Sequence, residues 1–422
     1  MAAGLREHFA CQAPVPKGFR GGTHRLRSPE DTLARVRPLM PLLGITRIAD
    51  ITGLDTLGIP VVMVCRPNAR SLSVSQGKGL LLAAAQASGL MESVEMWHAE
   101  HLTLPLKLAR LNELRFTHRM VDLAGLPRSS ANSFHAELRM LWVEGRDWLQ
   151  EGASTWLPHE VVHMDYRLPL SPGSGAFFMS SSGLASGNHL LEALSHAVCE
   201  LVEHDATTLW SLGGEAARRR TRLELGTVDD PACCQTLERY ERAGVSVAVW
   251  ETTSDIGLPS FVCMIADREP APLRPLAPAG GMGCHPTREV ALLRALTEAA
   301  QSRLTLIAGS RDDVTHGAFH DHERALTAWR ELLAWTQADG PQRRFQEVPT
   351  REAETFDEDV AWELERLRAA GLRQMVAVEL TKPELGIPVV RVVIPGLEGQ
   401  HDAPGYVPGA RARRVLQEAL TP

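Results

Sequence analysis

The 422-residue chain has few cysteines and no pattern among them. Cys11, Cys65, Cys199, Cys233, Cys234, Cys263 and Cys284 are odd in number, scattered and without a C-x-x-C pair. That excludes a disulfide framework or a zinc knuckle and leads us to expect free thiols in a reducing cytosol. Positive charge is not in excess either: 44 Lys plus Arg against 51 Asp plus Glu leave −7, which disfavours nucleic acid as the main partner. Long apolar runs are missing. Leu80 to Met91 is about twelve residues where a membrane span needs about twenty. The N-terminal MAAGLREHFA places Arg6 and Glu7 before any apolar run, so no signal peptide, lipid anchor or membrane partner is expected, and the location expected is cytoplasmic. No G-x-S-x-G elbow, kinase H-R-D or D-F-G set, or G-x-G-x-x-G between strand and helix occurs.

What is present is an ordinary globular composition, 44% hydrophobic and 23% charged, on a chain that a prior of roughly 150 residues per domain would allow to form up to three domains. Ser28 and Pro29 predict the N-cap and first position of a helix over Pro29–Leu43. Helix formers without proline fill Gly79–Leu102, Leu190–Leu212 and Thr287–Ala308. The runs IPVVMVC, LRMLWVEG, VSVAVWETT, MVAVELT and PVVRVVIP read as strands. Helices alternating with strand-rich stretches predict a mixed α/β (α+β) architecture around one large core. We expect one domain over 1–422, with an N-terminal segment 1–57, a core 58–310, a helical insertion or hairpin at about 311–370 and a C-terminal strand region 371–422.

The spacing of acids on the three long helices is the informative feature. At about 100° per residue, Asn188, Glu192, His196, Glu200 and Glu203 fall at about −40°, 0°, 40°, 80° and 20°, one stripe between apolar flanks. A solvated face would mix in Lys or Arg, and none occurs from Glu192 to Leu212. Like charges one turn apart repel, so a cation is expected among them, and a divalent metal with oxygen ligands is the simplest one. Glu92 and Glu95 repeat the pattern on the first helix. On the third, Arg294, Glu298 and Gln301 share a face. Five glutamates from two helices, with a sixth and an arginine from a third, suit a magnesium cage around a polyphosphate, Arg294 supplying bidentate donors. A single E-x-x-E pair is the ordinary mark of a solvated helix; the stripe with apolar flanks is what departs from it.

Other motifs carry less. Gly77-Lys78-Gly79 fails the P-loop template, which needs Ser or Thr where Gly79 stands, and reads as a tight turn opening a helix or touching substrate. Gly280-Gly281-Met282-Gly283 reads as a flexible lead into the third helix, and Ser180-Ser181-Ser182-Gly183 as a loop. His159-Glu160-Val161-Val162-His163 matches H-E-x-x-H, but Pro158 and the paired valines give it no helical context, so it is read as a chance match.

These segments together resemble the YcaO superfamily, from about Arg25 to Glu398. SQGKG with ASGLMESVE is similar to its first motif, SSSGLASGNHLLEALSHAVCELVEHD to its second and GCHPTREVALLRALTEAAQSR to its third. ALLRALTEAAQSR with GSRDD, and PVVRVVIPGLE, look most like members associated with TfuA proteins. The resemblance implies a single ATP-binding fold with mixed sheets that uses Mg2+ to phosphorylate a backbone amide oxygen, and three motif helices converging on one site. It places Glu92, Glu95, Glu192, Glu200, Glu203 and Glu298 on the metal and phosphate acids. Asn188, His196, Lys78 and Arg294 fall on nucleotide positions, with Arg25 and Thr32 near the N-terminal nucleotide contacts. Arg294 and Glu298 are the catalytic expectation.

Two departures matter. His204 stands where E-R-D is common, exchanging a permanent cation for a titratable one. RRVLQEALTP lacks the P-x-P-x-P tail of many azoline-forming members. The function implied is thioamide formation in a ribosomally made peptide, with a TfuA-like protein and a sulfur donor as partners. The alternatives are an azoline-forming cyclodehydratase, thionation of a small-molecule amide, and a non-catalytic peptide-binding scaffold. The oligomeric state is left open, a homodimer being one option.

Overall fold

The computed structural model describes residues 13–128, 130, 133–269, 276–313, 321–338, 340, 342–403 and 405–419. Cys11 lies outside them; the other six cysteines are free thiols. In chain order, α1 (Pro29–Val36), β1 (Arg47–Asp50), β2 (Val61–Cys65), β3 (Val74–Lys78) and α2 (Leu82–Glu100) form the first block. β4 (Leu106–Ala109), α3 (Leu111–Leu114), β5 (Met140–Asp147), β6 (Ala153–Pro158), β7 (Leu184–Ser186), α4 (Leu190–Leu212), α5 (Gly214–Thr221) and α6 (Pro231–Arg242) follow. Then come β8 (Val245–Glu251), β9 (Ser260–Asp267), β10 (Ala279–Cys284), α7 (Arg288–Ala308), α8 (His322–Gln337), α9 (Phe356–Ala369), β11 (Val376–Glu379), β12 (Val389–Val393) and α10 (Ala410–Ala419).

The mixed α+β class expected from the sequence holds, but the sheets themselves are not mixed. Every ladder between these strands is antiparallel, in three sheets ordered β1-β2-β3, β10-β9-β8 and β4-β5-β11-β12-β7, with β6 on β5. Short connections such as those joining β5 to β6 and β8 to β9 permit only that sense, because parallel neighbours need a long crossover. Ser28 caps α1 as expected, its Oγ accepting from the Asp31 amide at 3.1 Å. The helix stops at Val36 instead of Leu43, because Pro38 has no N–H to donate to the Ala34 carbonyl, and the chain continues as a 3-10 turn, Arg37–Leu39.

The glycine segments overturn the turn readings. Gly77 and Lys78 lie in β3, and Gly280–Gly283 in β10. A Cβ on Gly77 would come closer than 3.0 Å to Ala85 O and Gly89 N of α2. On Gly281 and Gly283 it would strike the α7 backbone at Ala295 O and Ala291 O. Glycine is there so that a helix backbone can lie directly on a strand, not to loosen the chain. The same device seats α2 on the first sheet and α7 on the second, β10-β9-β8. α9 buries Phe356, Val360, Leu364 and Leu367 in a core shared with Leu191, Leu194 and Val198 of α4, and α8 is anchored by Trp329 Nε1 donating to Asp267 O at 2.7 Å. No described helix is long and apolar enough to cross a membrane.

Candidate active site

The acids of α2, α4 and α7 face one another, and most are pinned by the backbone. Glu95 Oε1 accepts from Ser186 N at 2.8 Å and Ser186 Oγ at 2.7 Å. Glu92 Oε2 accepts from Gln76 N at 3.4 Å, Glu200 Oε2 from Gly183 N at 3.2 Å and Glu203 Oε2 from Cys284 N at 2.7 Å. Each of these four is thus held through one oxygen, and among the described residues the other oxygen has no protein partner. Glu298 differs: Oε1 accepts from Met282 N at 3.1 Å and Oε2 from Lys78 Nζ at 2.5 Å, tying the strand before α2 to α7.

Burial without enough cationic charge shows in the titration. It pushes Glu92 up to about 7 against Arg311 and Lys78. It pushes Glu95 up to about 8 despite Ser186, with Glu92 and Glu200 adding repulsion. Glu203 is raised to about 7 by burial that outweighs Arg294, and Glu200 is raised by burial against the nearby His204. For Glu298 burial also raises, but Lys78, the Met282 amide and Arg294 together hold it below the ordinary carboxylate value. Arg294 is itself pulled down by burial and up, on balance, by Glu203 and its neighbours. Its Nε is buried with no hydrogen-bond partner among the described residues.

The remaining expected residues lie beside this cluster. Glu192 is 2% exposed; its Oε2 accepts from Leu26 N at 2.9 Å, and its Oε1 is 3.7 Å from Arg25 Nε. Asn188 Nδ2 donates to Thr32 Oγ1 at 3.0 Å. Burial, with Arg294, Arg25 and Lys78 nearby, holds His196 neutral. His204 is buried and points its Nε2 toward Gln400 Nε2 at 3.3 Å, while its Nδ1 lacks a partner. Two cations escaped the sequence reading. Arg311 faces Glu92, and Arg391 on β12, 3% exposed, faces Glu200. A lone charge inside PVVRVVIP was the available signal for Arg391, since an arginine enters an apolar strand only with a partner.

The H-E-x-x-H segment forms a 3-10 turn, His159–Val161, after β6, so no α-helix presents two ligands. Glu160 accepts from the amides of Ala176 at 3.1 Å and Phe177 at 2.8 Å, and also of Gly175, which makes it the anchor of that loop.

The family model described as YcaO cyclodehydratase, ATP- and Mg2+-binding, matches residues 76–398. The chain belongs to the YcaO family. It is 39% identical over 401 residues to an uncharacterised protein in the tfuA 3′ region of Rhizobium leguminosarum bv. trifolii, covering 94% of this chain and 93% of that one. An uncharacterised protein of Mycobacterium tuberculosis is 33% identical over 414 residues, covering 96% and 88%. Among solved structures, YcaO from Methanopyrus kandleri bound with AMPPCP and Mg2+ superposes with a TM-score of 0.71 at 23% identity, over 91% of this chain and 95% of that one. A heterocyclase in complex with substrate and cofactor gives 0.75 at 23% identity, over 92% and 54%. At that identity these two establish the shared YcaO fold.

The donor set of this YcaO chain fits the family's Mg2+. Four carboxylates are aimed by backbone amides, each with a free oxygen, and three are pushed to about 7 or 8, an acidic surplus that a hard divalent cation would relieve. Among the described residues no three His, Cys, Asp or Glu groups converge closely enough to enclose a metal by themselves. That also suits magnesium, which takes one or two carboxylates and completes its shell with phosphate and water.

Proposed function

We propose that this YcaO chain activates an amide by phosphorylating its oxygen, and that the product is a thioamide in a ribosomally made peptide, formed with a TfuA-like partner and a sulfur donor. The four half-satisfied carboxylates carry the activation step. The likeness to a protein encoded beside tfuA supports the thioamide outcome. Mg2+-ATP, when bound, would supply the transferable phosphoryl group and the positive charge that the acids lack.

On this reading Glu92, Glu95, Glu200, Glu203 and Glu298 offer oxygen ligands, and Arg294 offers its unpartnered Nε to phosphate. Lys78 keeps Glu298 ionised. Glu192 positions Arg25 and the backbone at Leu26, and Arg25, Thr32, Asn188, His196 and His204 border the nucleotide. An amide carbonyl carbon is a poor electrophile. Once its oxygen has attacked phosphorus and the bond to ADP has broken, a nucleophile of the sulfide class adds at carbon, and the C–O bond breaks to release phosphate. Sulfur replaces oxygen with no change in oxidation state. The protein's part is positioning and charge neutralisation, so no side-chain nucleophile is required.

Glu200→Gln and Glu203→Gln are expected to abolish ATP turnover while circular dichroism stays unchanged; full turnover in both would end the proposal. Mass spectrometry of the modified peptide reads the product. Exchange of oxygen for sulfur supports thioamidation, and loss of water would move the assignment to azoline formation.

A further inference from the structure

A cavity of about 430 Å³ lies past the C-terminal end of α2, and no part of the proposed ATP chemistry uses it. Its lining includes both histidines of the H-E-x-x-H segment, with Arg70, Arg167, Asp165 and Leu168. The imidazoles of His159 and His163 stack at 4.2 Å between centroids, 9° from parallel. They are 7% and 3% exposed, and His159 has no hydrogen bond through either nitrogen among the described residues. His163 Nδ1 accepts from Asp165 N at 3.1 Å, which puts its proton on Nε2, and that atom has no partner. Burial holds both rings neutral, His159 at about 4, so they can donate without adding charge.

The cationic side is also incompletely used. Arg70 makes its contacts, to Glu100 O at 2.9 Å and Asp165 Oδ2 at 3.2 Å, through Nη1 alone. Arg167 donates Nε and Nη2 to Asp165 at 2.8 and 2.7 Å, leaving Nη1. Glu100 is balanced by the buried Arg66, 2.5 Å away. Three guanidinium groups thus stand against two carboxylates, of which Glu100 keeps one oxygen, Oε2, without a hydrogen-bond partner among the described residues. Leu168, 84% exposed, and Pro169 give the lining an apolar part.

The cavity also lies near the acids. Ala99, on its floor, follows Glu95 by four residues, about 6 Å along one face of α2. Behind its wall Arg391 Nε donates to Val161 O at 2.9 Å and faces Glu200. A peptide residue spans about 3.3 Å, so a chain of two or three residues reaches from one place to the other.

We propose that this cavity is a recognition subsite for a carboxylate of the peptide substrate, an Asp or Glu side chain or the C-terminal carboxylate, close to the amide that is activated. It rests on the amide-activation reading for its purpose but not for its test. Calorimetry on the full chain, without nucleotide or Mg2+, would compare acetyl-trialanine bearing a free C-terminal carboxylate with its C-terminal amide and with sodium acetate. The peptide acid is expected to bind about tenfold more tightly than the amide, and to lose about tenfold on Arg167→Ala or His159→Gln, the worth of one charge-assisted or buried hydrogen bond. Arg167 is solvent-facing, so its variant remains folded. Equal binding of acid and amide, acetate as strong a ligand as the peptide acid, or no effect of Arg167→Ala would each overturn the subsite. Because nucleotide is absent, none of these outcomes bears on the carboxylate cluster.

Discussion

Lysine is scarce in this chain, four residues among the 44 basic ones, and the structure gives each a definite place. Lys17 is paired with Asp359 at 2.6 Å in the core, Lys382 is 7% exposed beside Thr103, Lys107 sits over Trp156, and Lys78 holds Glu298. A compact ammonium is what holds Glu298 low in a cluster where burial raises Glu92, Glu95, Glu200 and Glu203. Lys78→Met is expected to raise the Glu298 pKa from below the ordinary carboxylate value to above it, seen by carbon NMR of labelled glutamate, and to weaken Mg2+-dependent nucleotide binding. His98 on α2 carries a pH prediction. It is fully buried and neutral, lowered to about 4 by burial, while its Nδ1 meets Val94 O at 2.7 Å. An unfolded chain protonates it near 6.5 and the folded one does not, so its contribution to stability is present above pH 6.5 and is lost as pH falls from 6.5 toward 4. His98→Gln should therefore lose less stability across that window than the parent protein, measured by urea unfolding at each pH.

At the scale of elements, the helices α2, α4 and α7 were legible because apolar flanks and a polar stripe have the 3.6-residue period, and α4 runs over the residues expected. The glycines before α2 and α7 were not legible. Glycine signals turns when only its own backbone freedom is considered, whereas here the decisive neighbour is a helix backbone that meets the strand only in the folded molecule. Gly283→Ala is expected to destabilise by about 3 kcal/mol or more, because its Cβ would strike Ala291 O and Ala295 N and neither backbone can yield. Gly53→Ala has open space around it, and the same urea titration should find it neutral or slightly stabilising.

For the whole molecule, the unpartnered oxygens of Glu92, Glu95, Glu200 and Glu203 imply a native state that gains from Mg2+-nucleotide. A non-hydrolysable ATP analogue with Mg2+ at about 100 times its Kd should stabilise by about 2.7 kcal/mol, read as a rise in Tm, and Glu203→Gln should lose most of that gain. Sequence by itself determined which residue types share a helix face, since that follows from covalent spacing and helical period, and it located the acids of the three motif helices. Only the tertiary structure decided their partners. Glu192 meets Leu26, Glu95 meets Ser186, Glu298 meets Lys78 and Arg391 faces Glu200, over separations from 91 to 220 residues where measured. Such pairings arise from three sheets stacking their helices together, and no local period encodes them. The His159–His163 segment, read from its sequence as a chance match to a zinc motif, folds as a 3-10 turn, and only the tertiary structure decided that its two imidazoles line a cavity with Arg70 and Arg167.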